Sequence, residues 1–421
     1  MDFPCFMSKP MTRHYDPLET RSAEQRAAAL ARDLPAQIAR AQALPGYRET
    51  LAGVEAGRIT SADALAGLPV LRKSDLVTAQ KAGQKAGAGA LGGLTTRPTQ
   101  DFAHVFQSPG PIYEPGGAAH DWWRMGRFLH ACGIGADDIV QNCFSYHLTP
   151  AGLMFENGAR AVGATVLPAG TGQTDLQVAA AHDVGVTAYA GTPDYLKVIL
   201  DRADEMGVGL SITRAAVGGG ALFPTLRQYY ADRGITCLQC YATADLGNIA
   251  YESAGGEGMI VDEGVIVEIV TPGTGDPVPP GQVGEVVVTT LNPDYPLIRF
   301  ATGDLSAVMD GVSPCGRTNM RIRGWMGRAD QTTKIKGMFV RPEQVAALVA
   351  RHAEISRARV IASRDGEMDV MTVRIEALDS APEAYAGSVA DLLKLKGRVE
   401  IVAPGSLPND GKVIEDQRSY G

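Results

Sequence analysis

Residues 299–304 read Arg299-Phe300-Ala301-Thr302-Gly303-Asp304, and residues 327–337 read Gly327-Arg328-Ala329-Asp330-Gln331-Thr332-Thr333-Lys334-Ile335-Lys336-Gly337. The first run reads as a strand end feeding a glycine turn. Gly303 lets the backbone bend where a side chain would clash, which offers the Asp304 carboxylate to a ligand. Its two oxygens can accept from both hydroxyls of a ribose. The second run makes another turn at Gly327 to Asp330, then a short alternating segment at Lys334 to Gly337. Thr-Gly-Asp alone is common turn chemistry. The two runs in this order are far more specific.

The bulk numbers bound what surrounds this pair. A chain of 421 residues is too long for one ordinary core, so two or three domains are expected. At 45% hydrophobic and 20% charged it has the composition of a soluble globular protein. A formal net charge of -8 argues against a nucleic-acid groove and favours a small-molecule partner. No apolar run is long enough to span a bilayer, so no membrane partner is expected. The first sixteen residues, MDFPCFMSKPMTRHYD, lack the apolar core and cleavage site of a secretory signal. The six cysteines form no disulfide framework, which fits a cytoplasmic location. Cys237 and Cys240 sit three apart on a strand-like stretch and so point to opposite faces, as buried thiols do.

Outward from the core pair, the pattern alternates between strands and helices. Glu24 to Ala43 has helical spacing broken by Pro35. In Leu68-Pro69-Val70-Leu71-Arg72-Lys73-Ser74-Asp75-Leu76, Ser74 or Asp75 would cap a helix. His120 to Cys132 reads as a helix whose Trp122, Met125, Phe128 and Leu129 stripe is core. Strand-like Ile139 to Phe144 leads into a turn at Ser145 to Gly152. Gly158 to Pro168 and Val186 to Leu200 read as α/β units, with Pro193 early in a helix. Ala215 to Ala221 ends a strand in Gly218-Gly219-Gly220, and Val265 to Thr290 alternates as strands between Pro/Gly turns. After Asp330 the helix and strand pattern is on the scale of a ferredoxin-like unit.

In this order the motifs resemble those of the adenylate-forming enzymes, and within them the phenylacetate–CoA ligase family. The resemblance covers nearly the whole chain, most specifically from Tyr241 to Val345 and at Ser406-Leu407-Pro408-Asn409-Asp410-Gly411-Lys412. It implies an α/β fold: a large N-terminal layered domain with a β-rich subdomain, residues 1–329, and a small mobile α+β cap, residues 330–421. Asp304 would hold the ribose and Arg328 would support the nucleotide. Gly218, Gly219 and Gly220 would lie against adenine, on which Tyr241 would stack. Tyr241-Ala242-Thr243-Ala244-Asp245 falls where relatives read Tyr-Gly-x-Ser/Thr-Glu. Asp245 would hold Mg²⁺ against the phosphates, and Thr243 would substitute for the hydroxyl missing from Ala244. Tyr146, His147 and Gly152 would line the acyl pocket, with His147 and Thr149 as polar handles. Asp330 would be the hinge, and Lys412 the catalytic cation meeting carboxylate and α-phosphate.

Two departures stand out. Phe102 to Gly117, FAHVFQSPGPIYEPGG, occupies the place of a phosphate loop that normally ends in Gly-Lys-Pro. Only Ser108 and Gly110 remain recognisable; Pro109 and Pro111 remove donors, and the lysine is missing. Relatives often carry a structural zinc, but of those ligands only Cys315 remains, so no zinc is expected. The resemblance implies ATP, Mg²⁺ and CoA as co-substrate, with an aryl acid as substrate. It leaves open transfer to an amine or hydroxyl acceptor instead, a non-catalytic nucleotide-binding homologue, and a homodimer.

Overall fold

The computed structural model describes residues 13–108, 111–331, 333–336, 338–365, 368–378, 381–408 and 412–418. Pro109, Gly110, Gly337 and Asn409 to Gly411 therefore lie outside the described residues, as do residues 1–12.

Among the described residues the largest sheet has nine strands. In spatial order these are Val308–Met309, Arg321–Ile322, Gly256–Val261, Gly247–Ser253, Thr236–Thr243, Arg214–Val217, Ala188–Gly191, Ile139–Asn142 and Thr165–Leu167. The last five run parallel. Their connections are helices, including Ala151–Ala161, Thr174–Val184, Pro193–Met206 and Pro224–Asp232. Parallel strands need such crossovers, and the helices bury both faces of the sheet. One core gathers Met125, Phe128, Phe155 and Tyr251; another gathers Tyr189, Leu196, Leu200 and Tyr230.

A second sheet holds Leu71–Arg72, Phe300–Ser306, Gly284–Thr290 and Val265–Val270. Leu71–Arg72 pairs in parallel with Phe300–Ala301, which sets the start of helix Lys73–Lys85 beside the Asp304 strand. Arg299 lies just before that strand, at a φ of 48° and 2% exposed. It is buried at the charge cost such burial carries, offset by Glu268 at 3.0 Å and by the Leu68 and Gly275 carbonyls. The third core, from Ile335 to Ile414, draws only on residues beyond 330. Its sheet runs Arg398–Val402, Met368–Glu376, Arg357–Asp365, Ile414–Asp416, flanked by helices Pro342–Arg351 and Glu383–Leu393.

Three local expectations are corrected. Gly303 does not end a strand: the strand runs from Phe300 to Ser306, and its pairing shifts register between Glu285 and Val287. Residues 302–304 are thus a bulge, the extra length being taken up by Gly303 at a φ of 74°. Pro35 does not break its helix, which is continuous from Ala23 to Gln42. A capping box at Ser22 and Gln25 and the burial of Leu34, Ile38 and Ala41 offset the lost bond. The helix expected from His120 begins only at Gly126. Asp121 and Arg124 adopt left-handed backbone, and the Asp121 carboxylate accepts from the Gly126 N–H.

Candidate functional site

The carboxyl ends of the parallel strands open onto one edge of the sheet, where α/β proteins hold ligands. Gly218 to Gly220 follow Arg214–Val217, Thr192 and Pro193 follow Ala188–Gly191, and Asp245 follows Thr236–Thr243. A Cβ on Gly218 would come within 2.9 Å of Cys240 Sγ, so only glycine fits there. Gly219 has a φ of 68°, and its α-carbon faces Phe144 and Thr192; Gly220 lies near Pro193. On the neighbouring strand end, Asn142 donates to the Tyr146 hydroxyl at 2.7 Å and to the Gly152 carbonyl at 2.8 Å. A Cβ on Gly152 would strike the Tyr146 ring. Tyr146 and Gly152 are therefore brought together, whereas His147 is exposed and linked to Ser145 only through its own N–H.

Asp304 is buried and surrounded by donors. The Tyr241 hydroxyl donates to Oδ2 at 2.8 Å. Trp325 Nε1 and Arg328 donate to Oδ1 at 3.1 and 3.2 Å. The loop carrying Trp325 and Arg328 is tied to the Asp304 strand, Leu305 donating to the Gly327 carbonyl and Met326 to that of Leu305. Gly303 suits this place through its φ of 74°, and a Cβ there would also press the Arg328 guanidinium at 2.6 Å. Burial raises the Asp304 carboxyl, against the pull of Tyr241, Arg328 and Trp325. Tyr241 packs in the core with its hydroxyl committed to Asp304. The arrangement leaves one lone-pair position on the carboxylate. A ribose presenting two hydroxyls would compete with these donors, of which Trp325, 38% exposed, and Arg328, with 35% of its side chain exposed, are the accessible ones.

A second acidic cluster lies across the edge. Within segment 102–117, His104–Ser108 pairs antiparallel with Ile112–Gly116, in register from His104 and Gly116 to Ser108 and Ile112. It ends Tyr113-Glu114-Pro115 where the expected pattern ends Gly-Lys-Pro, so an acid stands where a cation was sought. Alternation along the strand turns Glu114 inward, 1% exposed. Ser108 donates to Glu114 Oε1 at 2.7 Å. A cation from another element lies beside it: Lys73, the first residue of helix Lys73–Lys85, donates to Asp245 Oδ2 at 3.0 Å and to Ser108 at 3.1 Å. Its ammonium is also 3.6 Å from Glu114. The helix is capped by Asp75, which accepts from the Arg72 N–H at 2.9 Å. Burial, and then the Asp245 charge, push the Glu114 carboxyl well above the usual carboxylate range. Sequence reading missed Glu114 and Lys73 as site residues. The signal available was the unusual Glu-Pro, together with a lysine in a segment read only for its capping.

Ala242 and Thr243 lie at the same strand end, half-buried; the Thr243 hydroxyl accepts from the Leu246 N–H at 3.2 Å and so shapes the turn into Asp245. The backbone of Asp330 falls in the 3₁₀ turn Ala329–Gln331. Gln331 accepts from the Val413 N–H at 2.6 Å, joining that turn to the tail. Lys412 is exposed and close enough to Glu415 to help hold that carboxyl low. Cys315 is linked to the Ser313 hydroxyl at 3.0 Å and to Arg317 at 3.5 Å. Burial pushes its thiol up, but donors from Ser253, Ser313 and Arg317 outweigh burial and bring it to about 7. Among the described residues no group of three or more His, Cys, Asp or Glu is set to hold a metal, and no helix is long and apolar enough to cross a membrane.

With this geometry in place, likeness to known proteins can be read. Residues 119–292 match the family model of the AMP-binding enzymes. The chain is 29% identical over 353 residues to the phenylacetate-coenzyme A ligase of Thermus thermophilus, covering 79% of this chain and 77% of that one. It is 27% identical over 303 residues to the phenylacetate-coenzyme A ligase of Escherichia coli, covering 68% of each. Its fold matches 2-hydroxyisobutyryl-CoA ligase in the postadenylation state with 2-HIB-AMP, at a TM-score of 0.81 and 23% identity, over 98% of this chain and 94% of that one. It also matches the amide bond synthetase McbA from Marinactinospora thermotolerans, at a TM-score of 0.55 and 18% identity, over 75% and 68%.

Proposed function

We propose that this chain, an AMP-forming ligase of the adenylate-forming fold, activates an aromatic carboxylic acid and passes the acyl group to coenzyme A. One observation carries the reading furthest. Asp304 accepts from the hydroxyl of Tyr241, which lies on the strand paired with the one that leads into glycines 218–220.

A carboxylate is a poor acyl donor because oxide is a poor leaving group. In the proposed first step a carboxylate oxygen of the acid attacks the α-phosphorus of ATP, and pyrophosphate departs. In the second, the thiol sulfur attacks the acyl carbon, loses its proton, and AMP departs. Asp304 grips the ribose hydroxyls, with Trp325 yielding Oδ1. Lys412 meets the charge growing on the α-phosphate and carboxylate. Mg²⁺ would be held at Asp245, where it would supply neutralising charge to the phosphates. The residues fit that ion: Asp245 Oδ1 is buried and has no hydrogen-bond partner. The chain beyond Asp330 is the proposed mobile cap, turning between a pose that presents Lys412 and one that admits the thiol. Gly337, on the face such a turn would bring in, lies outside the described residues.

The test is acid-dependent ATP–pyrophosphate exchange with benzoate, hydroxybenzoate, anthranilate and phenylacetate, followed by product mass with CoA or with an aromatic amine. Exchange on none of these acids, with only AMP bound, would end the catalytic reading. Amide formation in preference to thioester would replace CoA as acceptor. Lys412→Ala should nearly abolish exchange and leave AMP binding in place; wild-type exchange in that variant would remove the lysine from the mechanism.

A further inference from the structure

The tail that carries Lys412 is held on both sides, and one hold comes from the residue next to the proposed hinge. On the near side, the Leu407 N–H donates to Glu376 Oε1 at 2.7 Å, and Glu376 is buried. The Leu407 and Pro408 carbonyls each accept from Arg357 at 2.9 Å, and Pro408 also accepts from Arg359 at 3.0 Å. These side chains belong to strands Arg357–Asp365 and Met368–Glu376, so the near stem is fixed to the sheet of the third core. On the far side, Gln331 Oε1 accepts from the Val413 N–H at 2.6 Å and from the Ile414 N–H at 3.2 Å. Lys412 stands directly before that anchor.

Two successive backbone N–H groups that converge on one oxygen form a small electropositive notch. The Gln331 amide oxygen fills it from the 3₁₀ turn Ala329–Gln331, next to Asp330. The strand that follows Lys412 has other anchors. Ile414–Asp416 pairs in parallel with Arg357–Asp365, and the Val413 carbonyl accepts from the Val360 N–H at 2.9 Å. The Thr333 hydroxyl donates to Asp416 Oδ2 at 2.6 Å, and Arg418 donates to Asp369 at 2.7 Å and to Thr333 at 2.9 Å. What Gln331 adds is control over the point where the chain leaves that strand toward Lys412.

We propose that Gln331 is a positioning residue for the adenylate-forming step, a clamp that couples the backbone at Lys412 to the hinge. The inference rests on the roles given to Asp330 and Lys412 above. The body of the cap carries the lysine toward the cleft, and Gln331 sets its final orientation against the turn that swings it. A small misplacement of a catalytic group costs a large factor in rate, so the backbone beneath a long, flexible ammonium stem is worth fixing. Lys412 is withdrawn in the pose that admits the thiol. The clamp therefore bears on the first half-reaction and not on the second.

The experiment has a structural arm and a catalytic arm. Deuterium uptake by the whole protein, read by mass spectrometry across 412–418, should be about tenfold faster at Val413 and Ile414 in Gln331→Leu than in wild type. Gln331→Glu keeps an acceptor oxygen for both N–H groups and should hold the wild-type uptake. With the fastest of the four acids named above, Gln331→Leu should lower kcat for ATP–pyrophosphate exchange about tenfold and leave KM for ATP within about twofold. Thioester formation from the matching synthetic acyl-adenylate and CoA should be unchanged, and Gln331→Glu should restore pyrophosphate exchange. Gln331→Ala takes the place of Gln331→Leu if the latter fails to fold. Equal losses in the two half-reactions, the mark of a residue that only stabilises the cap, overturn the proposal. So do unchanged deuterium uptake in Gln331→Leu, and a Gln331→Glu variant no better than Gln331→Leu. Pyrophosphate exchange lost in Lys412→Ala but kept in Gln331→Leu removes the clamp alone, whereas a wild type that exchanges on no acid ends the ligase reading and the clamp's catalytic role with it.

Discussion

Two acidic sites, one of a single buried carboxylate and one of two, stand in opposite conditions. Asp304 has three donors on two oxygens, from the phenol of Tyr241, the indole of Trp325 and the guanidinium of Arg328. Glu114 and Asp245 share one ammonium, and burial, then the Asp245 charge, push the Glu114 carboxyl well above the usual carboxylate range. The first site is built to stay ordered while empty, so a ligand must trade places with a donor. The second holds its two acids together through one lysine and the raised carboxyl of Glu114. Desolvating a carboxylate is costly in both, but at Asp304 the cost is offset within the protein.

The predictions sharpen that contrast in order of size. Asp304→Ala removes the hub of three donors, and acid-dependent exchange should fall by roughly 10²–10³-fold. A fall of less than tenfold would mean that the nucleotide is gripped elsewhere. Lys73→Met strips the Glu114 and Asp245 cluster of its cation. Without divalent ions, denaturant unfolding should show a loss of about 2 kcal/mol, below the usual 3–5 for a fully buried pair because Lys73 is 34% exposed. Adding Glu114→Gln should return most of it, since one acid and one amide then remain. No rescue in the double variant would show that the two acids do not share the lysine.

A smaller effect is expected at Trp325. AMP should change its fluorescence as the indole leaves Oδ1, and Trp325→Phe should abolish that change with AMP affinity kept within a few-fold. A signal that survives in Trp325→Phe would come from Trp122 or Trp123 instead. The smallest is a control remote from both acids. Cys315 thiolate forms as pH rises, so iodoacetamide labelling should climb to half its plateau near pH 7. A midpoint above 8 would mean that the Ser253, Ser313 and Arg317 donors do not hold the thiol down.

In the Asp304 half, Asp304 and Arg328 were legible as a close pair in the chain, whereas Trp325 was not read and Tyr241, 63 positions away, was expected to stack on a base rather than donate to Asp304. Asp304, Trp325 and Arg328 lie within 24 positions, and the glycines that shape their backbone can be read directly. Even so, a bulge was read as a turn, because the register of pairing with Gly284–Thr290 is not written in the strand itself. The other half was hidden by distance. Lys73 and Asp245 are 172 positions apart, and they meet only because Leu71–Arg72 pairs beside Phe300–Ala301. The missing lysine of segment 102–117 could be seen, but the approach of Lys73 from a helix start to Asp245 and Glu114 could not. The late start at Gly126 was equally opaque, since left-handed Asp121 and Arg124 give no periodic signal.

The unbroken helix around Pro35 has a consequence for how the molecule may be trimmed. Its Gln37 amide is buried and donates to the Thr290 and Asn292 carbonyls at 2.9 and 2.8 Å, two residues that line a small cavity with Asp245. The N-terminal helix thus acts as a keel under a site more than 250 positions away. A truncation that removes it would strand two carbonyls and slacken that wall, although no residue of the helix comes near the chemistry.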